Sequence, residues 1–327
     1  MSLSDQPLVT ICVPVYNGEK YLDECLKSIH QQTYTNWECV VNNNCSKDRS
    51  LEIALQYQQK DKRFKVFTND SFISLVQNWN KAFSYSDKEA KFFKMVQADD
   101  WIFPNCIERM VEVFETDSSV GLCSSYRIDS TRVLPDNYNI YEGEVFNGKA
   151  MLIKHLLHQF DLVGSITTVM FSMPFLKQIE RFPAIFNEKS YHIDSELDYE
   201  IMHRSNVGFV PQILTYTRRH NESGTSTVVF KNGTLYQHYE KILFEYRHLS
   251  PALQKRYNHL RREYAYFYGL KKILKQKKVI DWHNQYIVRP FTPAEYLISA
   301  VFLNPLVIYT RKLVNVVMRH LPGKKKN

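Results

Sequence analysis

Hydrophobic positions in the first 126 residues alternate between continuous apolar runs and segments with helical spacing. The runs predict five buried strands, at residues 8–15, 37–41, 64–67, 92–96 and 120–126. The segments between them predict helices at residues 19–32, from Ser46 as N-cap to about residue 59, at 74–83, and after Pro104. Repeated β-α-β units favour an α/β fold, with a Rossmann-like, mostly parallel sheet flanked by helices.

The pattern becomes less regular after residue 146. It predicts a helix from Asn147, a strand over 166–172, an acidic helix from Ile193, strands at 209–210 and 213–216, and helices from Leu235 that break near Pro251 and Pro290. An apolar stretch at 296–309 contains Asn304 and Pro305. It is shorter than the ~20 residues that span a bilayer, so no transmembrane helix is predicted.

The charge distribution divides the chain into an acidic first part and a basic last part. Of the 327 residues, 44% are hydrophobic and 23% are charged, which excludes a wholly disordered chain. From Lys241 onward there are 18 basic and 4 acidic residues, whereas the first 240 residues have 24 basic and 30 acidic ones. The sequence therefore predicts a folded domain followed by a basic appendage that meets nucleic acid, anionic lipid or another polyanion.

The six cysteines all lie in the first 123 residues and form no Cys-x-x-Cys pair. Residues 1–7 are polar and do not resemble a signal peptide. We therefore expect reduced thiols and a cytoplasmic location. Glycine-rich dinucleotide and phosphate-loop motifs, the Gly-x-Ser-x-Gly elbow and zinc-finger spacings do not occur, which argues against those enzyme and metal-site classes.

Polar and turn-forming residues follow the predicted strands, where ligands bind in open α/β sheets. They are Pro14 to Asn17, Asn42 to Cys45, Asn69, and Gln97 to Asp100. Adjacent carboxylates at Asp99 and Asp100 would suit a hard cation such as Mg²⁺ or Mn²⁺. The alternative is an acidic turn that precedes a helix.

Two further charged clusters are open to two interpretations each. Asp194, Glu196, Asp198 and Glu200 suit either an acidic first turn or a general base, and their spacing alone does not choose among them. The segment Arg218 to His220 suits either phosphate or metal binding or a solvated basic turn.

In this order, the motifs resemble a family 2 glycosyltransferase of GT-A fold, over about residues 8–226. The opening Val9-Thr10-Ile11-Cys12-Val13-Pro14-Val15-Tyr16-Asn17-Gly18 is similar to the family's first strand and donor loop. Asn43 to Asp48 is similar to its Asp-Asp/Asn-x-Ser-Thr-Asp segment, and Gln97-Ala98-Asp99-Asp100 falls where the family has Asp-x-Asp. Weaker similarities are Leu197 to Arg204 and Tyr216 to His220.

The resemblance implies an inverting transfer of a sugar from a nucleotide-sugar donor to a hydroxyl of a saccharide or lipid-linked acceptor. It implies that Pro14, Tyr16 and Asn44 touch the nucleobase, that Asn17 supports that loop, and that Asn69 and Asn80 line the nucleotide pocket. Gln97, Ala98, Asp99 and Asp100 belong to the donor site, with Mg²⁺ or Mn²⁺ held by Asp99 and His220. Asp198 matches the catalytic base, with Glu196 and Asp194 as alternatives.

Three departures affect this assignment. Asn43 replaces an acidic residue, Gln97 replaces the first Asp of Asp-x-Asp, and Leu197 replaces the Glu before the base. A catalytically silent subunit that acts in assembly is therefore the alternative function. A nucleic-acid binder would explain the basic appendage, but acidic sites at Asp99 and Asp198 would repel phosphates without a metal, so no nucleic-acid partner is predicted.

The resemblance divides the chain into a nucleotide-sugar half (1–130), an acceptor and catalytic half (131–234) and a basic helical extension (235–327). Apolar and basic residues alternate through the last 31 residues of the extension. They suit either an anionic membrane surface or packing on the catalytic domain or a second subunit. The implied setting is surface polysaccharide or lipopolysaccharide synthesis at the inner face of the cell membrane. The sugar, nucleobase, acceptor and oligomeric state are open.

Overall fold

A computed structural model describes residues 6–135, 145–159, 162–187, 193–219, 235–273 and 288–302. The chain divides into two compact units, Met1–Thr227 and Val228–Asn327. The predicted division between residues 130 and 131 falls inside the first unit, and the predicted extension from residue 235 begins inside the second.

One sheet forms the centre of the first unit. Its strands in the described residues are β1 (Val9–Val15), β2 (Trp37–Asn43), β3 (Phe64–Thr68), β4 (Phe92–Met95), β5 (Trp101–Ile102), β6 (Val120–Asp129), β7 (Arg132–Leu134), β8 (Val145–Phe146), β9 (Met170–Ser172) and β10 (Asn206–Thr217). Their order across the sheet is β3-β2-β1-β4-β9-β6-β10-β5, with β7 beside β6 and β8 beside β10.

Helices join and cover these strands. In the described part of this unit they are α1 (Leu22–His30), α2 (Ser50–Lys60), α3 (Leu75–Ser84), α4 (Cys106–Thr116), α5 (Gly148–Leu156), α6 (Met173–Leu176) and α7 (Ile193–Arg204), with a 3₁₀ turn at Ile166–Thr168. All residues of β1 and β2 are buried, which explains the apolar runs 11–15 and 39–41 within them. The predicted α/β architecture is confirmed.

The sheet is parallel over its first half and mixed beyond it. β3, β2, β1 and β4 are all parallel, as predicted. β9 then runs antiparallel to both of its neighbours, β4 and β6. The carboxyl ends of β1, β2 and β4 consequently lie at one edge of the sheet, and the loops that follow these strands come together there.

Two local predictions were wrong. The run 166–172 is not one strand, because its first part forms the 3₁₀ turn, which the Ser165 hydroxyl caps by accepting from the N–H of Thr167 (3.3 Å). Ser46 does not cap α2, which begins at Ser50. The Oγ of Ser46 instead accepts a hydrogen bond from the N–H of Asn17 (3.0 Å), and the Asp48 carboxylate accepts from the N–H of Ser50 (3.0 Å).

The second unit is helical where it is described, with helices at Leu235–Tyr246, Pro251–Ile273 and Pro293–Phe302. Its buried ion pairs join Arg261 to Glu240 and to Glu295. Among the helices of the described ranges, none combines the length and the apolar character needed to cross a bilayer. The predicted membrane-facing or packing residues beyond 302 lie outside the described residues.

Candidate active site

The loop after β1 is tied to the loop after β2. Asn17 has a φ of 50°, in the left-handed region that Asn tolerates better than most residues. Its Oδ1 accepts a hydrogen bond from the N–H of Lys47 (2.8 Å), and its own N–H donates to Ser46 (3.0 Å). The next N–H, of Gly18, donates to the Oγ of Ser50 (2.8 Å). Asn17 therefore joins the two loops at the carboxyl edge of the sheet.

Four buried asparagine side chains form a connected cluster beside these loops: Asn42, Asn44, Asn69 and Asn78. The Nδ2 of Asn42 donates to Asn78 (2.8 Å) and, at 3.3 Å, to Asn69. The Nδ2 of Asn69 donates to Asn78 and to Asn44, at 2.9 Å each. The Oδ1 of Asn42 has no hydrogen-bond partner in the described part of the chain, but the four amides are linked to one another by these bonds, which restrict their movement. The cluster fixes the ends of β2 and β3 relative to α3.

Asn44 also forms hydrogen bonds with the segment that leads into α3. Its Oδ1 accepts from the N–H of Ile73 (3.1 Å), and its Nδ2 donates to the carbonyl of the same residue (2.8 Å). This residue was predicted to touch a nucleobase, and the structure places it at the carboxyl end of β2, where it shapes the wall of the predicted donor site.

Two aromatic side chains are exposed at this edge. Tyr16 is 50% exposed and Phe72 is 61% exposed, and their ring centroids are 4.8 Å apart. Pro14, predicted to lie at the nucleobase with Tyr16, is buried within β1 and pairs in register with Asn42. Pro14 and Tyr16 were both predicted to contact a nucleobase. Only Tyr16 is exposed, so of these two residues it is the one whose ring a flat ligand can reach.

The turn Gln97 to Asp100 follows β4 and carries the predicted Asp-x-Asp position. Gln97, Ala98 and Asp99 are half-buried, whereas Asp100 is 1% exposed. A Cβ placed on Gly18 would lie 3.7 Å from the Cβ of Ala98, so this turn lies against the loop after β1. The structure thus brings the predicted donor residues of β1 and β4 together.

The two neighbouring carboxylates have different surroundings. Asp100 accepts hydrogen bonds at both oxygens, from the hydroxyl of Thr167 (2.6 Å) and from the N–H of Arg218 (2.8 Å). Burial, and then the charge of Asp99, raise the pKa of Asp100 to about 8 against the effect of these donors. Asp100 therefore holds the turn together, and Asp99 is the carboxylate that reaches the surface of the site.

Arg218, which follows β10, contacts the turn that carries Asp99. Its Nε donates to the carbonyl oxygen of Asp99 (3.0 Å), and its guanidinium pairs with Glu24 of α1 (2.5 Å) and lies 4.4 Å from the ring centroid of Tyr21. Arg219 is instead held by Asp129 at the end of β6. The pair Arg218 and Arg219 is therefore not a free basic turn. His220 lies outside the described residues.

The acidic segment after Ile193 forms helix α7, which packs against α5 and β6. Asp198 is fully buried on this helix. Of the alternatives, Glu196 accepts from the amide of Asn187 (2.8 Å), and Asp194 is half-buried and accepts from the N–H of Ser195 (2.8 Å). Glu200 pairs with Arg181 (2.6 Å), which gives it a structural partner.

Asn80 connects the donor side to the segment before α7. Its Nδ2 donates to the carbonyl of Phe186, and its Oδ1 accepts from the N–H of the same residue, at 2.9 Å each. Asn187, the next residue, bonds to Glu196 of α7. Asn80 therefore tethers two segments and uses both ends of its amide to do so, whereas the sequence predicted that it lines the nucleotide pocket.

Comparison with protein-family models gives a match to the family described as glycosyl transferase family 2, over residues 10–178. The chain belongs to this family. It is a glycosyltransferase, and the predicted family and enzyme class are confirmed. The matched segment runs from β1 through β9 and includes the cluster of asparagines and the turn that carries Asp99.

A relative supports the same family, and a solved structure supports the fold. The glycosyltransferase GlyG of Streptococcus pneumoniae is 28% identical over 224 residues, which are 66% of this chain and 72% of GlyG. The crystal structure of S. aureus TarS 1-349 in complex with UDP-GlcNAc superposes with a TM-score of 0.62 at 15% identity, covering 80% of this chain and 81% of TarS. These matches confirm the predicted GT-A fold of this glycosyltransferase.

A second solved structure has the same fold. The mannosyltransferase PcManGT from Pyrobaculum calidifontis, in complex with GDP-Man and Mn²⁺, has a TM-score of 0.55 at 14% identity and covers 99% of this chain and 89% of PcManGT.

Sequence reasoning missed several residues that shape the site of this family 2 glycosyltransferase. Asn78 belongs to the buried amide cluster, and its signal was a polar residue on the otherwise apolar face of α3. Phe72 was an isolated aromatic residue in a polar segment. Thr167 had no local signal, because only the pairing of β9 with β4 brings its segment to the turn that carries Asp99.

Proposed function

We propose that this glycosyltransferase is an inverting, metal-dependent enzyme. It moves one sugar from a nucleotide-sugar donor to a hydroxyl of a saccharide or lipid-linked acceptor. The observation that carries the proposal is the contrast at the end of β4, where Asp100 is bonded at both oxygens and buried, while Asp99 reaches the surface of the donor site. The adjacent exposed ring of Tyr16 supports a flat nucleobase at the same edge.

A divalent ion fits the residues at this turn. Among the described residues, no three His, Cys, Asp or Glu side chains form a group that could hold a metal by themselves. Mg²⁺ is commonly held by one or two carboxylates together with substrate phosphates and water. Asp99 would supply the carboxylate, and His220 is the second proposed ligand. When bound, Mg²⁺ or Mn²⁺ would stabilise negative charge on the departing nucleotide.

The donor diphosphate would lie between the turn at Asp99 and the loops after β1 and β2. Tyr16 would stack on the nucleobase, while Asn17, Asn44 and Asn69 hold the loops that surround it. Gln97 and Ala98 would form the floor beside Asp99, and Pro14 would support the site from within β1. TarS and PcManGT were solved with UDP-GlcNAc and with GDP-Man, which supports a nucleotide-sugar donor for this chain.

Asp198 would act as the general base. An inverting displacement needs a base that removes the proton of the attacking hydroxyl on the face opposite the leaving group. Asp198 is fully buried on α7, so an acceptor hydroxyl would reach it only after the side chains that cover it move. The alternative bases are Glu196, which accepts a hydrogen bond from the amide of Asn187, and Asp194, which accepts from the N–H of Ser195.

The acceptor side would face the cell envelope. We propose surface polysaccharide or lipopolysaccharide synthesis, with the enzyme peripheral on the inner face of the cell membrane. Leu297 and Ile298, on the helix Pro293–Phe302, are 68% and 40% exposed, which supports contact between the second unit and lipid. Vesicles with anionic lipid should co-sediment the protein, and binding unchanged by the double variant Leu297→Ser and Ile298→Ser would contradict this contact.

Thermal-shift measurements with a panel of nucleotide sugars test the donor assignment. A true donor raises the unfolding temperature because it binds the native state alone. We expect one or two nucleotide sugars to stabilise the protein in the presence of Mn²⁺ and less in the presence of EDTA. Transfer assays with the stabilising donor then test activity. No stabilisation by any donor, and no hydrolysis or transfer, would favour a catalytically silent subunit.

A further inference from the structure

One hydroxyl group spans the turn that carries Asp99. The Oγ1 of Thr167 donates to the Oδ2 of Asp100 (2.6 Å) and accepts from the N–H of Gln97 (3.1 Å). Thr167 is fully buried in the 3₁₀ turn before β9. Thr167 therefore lies about 70 residues from the turn in the sequence, and its hydroxyl contacts both ends of the turn.

The turn that carries Thr167 is itself held by a buried lysine. The Nζ of Lys94, on β4, donates to the carbonyl oxygens of Thr167 (2.7 Å) and Val169 (3.2 Å). Lys94 is fully buried, and burial lowers its pKa. A buried amino group needs acceptors, and these two carbonyls supply them. Lys94 thus fixes the backbone on both sides of Thr168 and, with it, the position of the Thr167 hydroxyl.

The opposite side of the turn is held by Arg218. Its N–H donates to the second oxygen of Asp100 (2.8 Å), and its Nε donates to the carbonyl of Asp99 (3.0 Å). The backbone of the turn is therefore held from two directions, and neither of these contacts uses the carboxylate of Asp99. An arrangement that fixes a backbone and leaves a carboxylate at the surface suits a residue that must meet a ligand in a defined position.

We propose that Thr167 is a positioning residue, whose hydroxyl holds the turn in the shape that presents Asp99 to a divalent ion and a diphosphate. This inference rests on the proposed role of Asp99. Without the hydroxyl, the N–H of Gln97 loses its acceptor and Asp100 loses one of its two donors inside a buried site. The turn would then relax, and the carboxylate of Asp99 would no longer be held in one place.

The neighbouring residue provides a matched control. Thr168 is also fully buried in the same 3₁₀ turn, but its Oγ1 has no hydrogen-bond partner in the structure. Thr167→Val and Thr168→Val make the same chemical change one residue apart. Thr167→Ser keeps the hydroxyl and removes only a methyl group. A purely apolar packing role for Thr167 predicts that Val is tolerated and Ser is not, which is the reverse of our expectation.

The test is calorimetric titration of the full-length protein with UDP, GDP, CDP and dTDP, with and without Mn²⁺. We expect Thr167→Val to weaken Mn²⁺-dependent binding by about tenfold or more and to leave metal-free binding within about twofold of wild type. Thr167→Ser and Thr168→Val should remain close to wild type in both. Thermal unfolding checks that each variant is folded, and Thr167→Ala replaces the valine variant if that one does not fold.

Two results would overturn the proposal, and they differ from each other. Metal-dependent binding in the wild type, with Thr167→Val equal to Thr168→Val, would remove the positioning role of Thr167 and leave Asp99 as the proposed metal ligand. Nucleotide binding that is indifferent to Mn²⁺ in the wild type would remove the metal role of Asp99, and the role of Thr167 with it.

Discussion

Asn44 and Ile73 are joined by two hydrogen bonds, so that one side-chain amide holds both polar groups of one backbone residue, at 2.8 Å and 3.1 Å. The pair fastens the end of β2 to the segment that enters α3. Since a backbone N–H and a carbonyl oxygen are both bound, the orientation of this amide is defined by its partners.

Asn44→Asp should weaken nucleotide binding, because a carboxylate cannot donate to the carbonyl of Ile73 and repels it. We expect a loss of about 1–3 kcal/mol, or roughly 5- to 150-fold in Kd, by calorimetry with the best nucleoside diphosphate. Asn206→Asp is the control, because Asn206 lies at the opposite edge of the sheet, where its amide bonds to Ser119. Equal losses in both variants would contradict a local effect of Asn44.

Asp99→Asn and Asp100→Ala should have different effects. Asp99→Asn should abolish the Mn²⁺ dependence of nucleotide binding while leaving the unfolding temperature nearly unchanged. Asp100→Ala should lower the free energy of unfolding by about 1–3 kcal/mol, because the buried hydroxyl of Thr167 and the N–H of Arg218 lose their partner. Chemical denaturation measures the change in stability, and calorimetry measures the change in binding. A loss of stability in Asp99→Asn as large as in Asp100→Ala would contradict this division of roles.

Asp198→Asn should reduce kcat by about 10²–10⁴-fold, the usual contribution of a general base, while donor affinity stays within about twofold. Initial rates with a saturating donor and calorimetry with its nucleoside diphosphate measure the two quantities. The matched variant is Glu196→Gln, at a carboxylate two residues earlier on α7 that accepts a hydrogen bond from Asn187. If Glu196→Gln were the variant that lost turnover, the base would be Glu196.

Glu295 should make the stability of the protein depend on acid pH. Burial alone would raise the pKa of Glu295, but the N–H of Thr292 and the guanidinium groups of Arg261 and Arg289 outweigh it and lower the pKa to about 2. A lowered pKa contributes stability above the unfolded value of about 4.3, and this stability is lost as the pH falls towards 2.

The unfolding temperature of wild type should therefore exceed that of Glu295→Gln by most at pH 6–7, and the difference should shrink as the pH falls from about 5 to 3. The control is Glu245→Gln, at an exposed glutamate of the same unit. A difference between wild type and Glu295→Gln that stays constant across this range would show that the ion pairs of Glu295 do not stabilise the fold.

Much of the fold follows from local patterns. β1 and β2 are buried on both faces and contain the apolar runs 11–15 and 39–41, which can be recognised without knowledge of the tertiary structure. The capping box at Ser74 and Gln77 marks the start of α3 in the same way. Asp99 and Tyr16 were identified because they follow such strands, and ligands bind where parallel strands end.

Other features depend on contacts that sequence spacing does not contain. Ser46 is a good N-cap residue, but the loop after β1 takes its hydroxyl, and α2 starts four residues later. Lys94 lies on a buried strand, where a charged residue is unexpected until the carbonyls of Thr167 and Val169 are placed around it. The roles of Asn42 and Asn78 likewise arise only when three separate segments meet.

The position of β9 bears on how the protein is made. β9 pairs with β4 on one side and with β6 on the other, although it follows both in the chain. While the ribosome has delivered only the first 130 residues, β4 has an open edge and the hydroxyl of Thr167 has not yet been synthesised. The nascent chain can therefore assemble its first βαβ units early, but the turn that carries Asp99 gains its contacts with Thr167 and Arg218 only after residue 218 has left the ribosome.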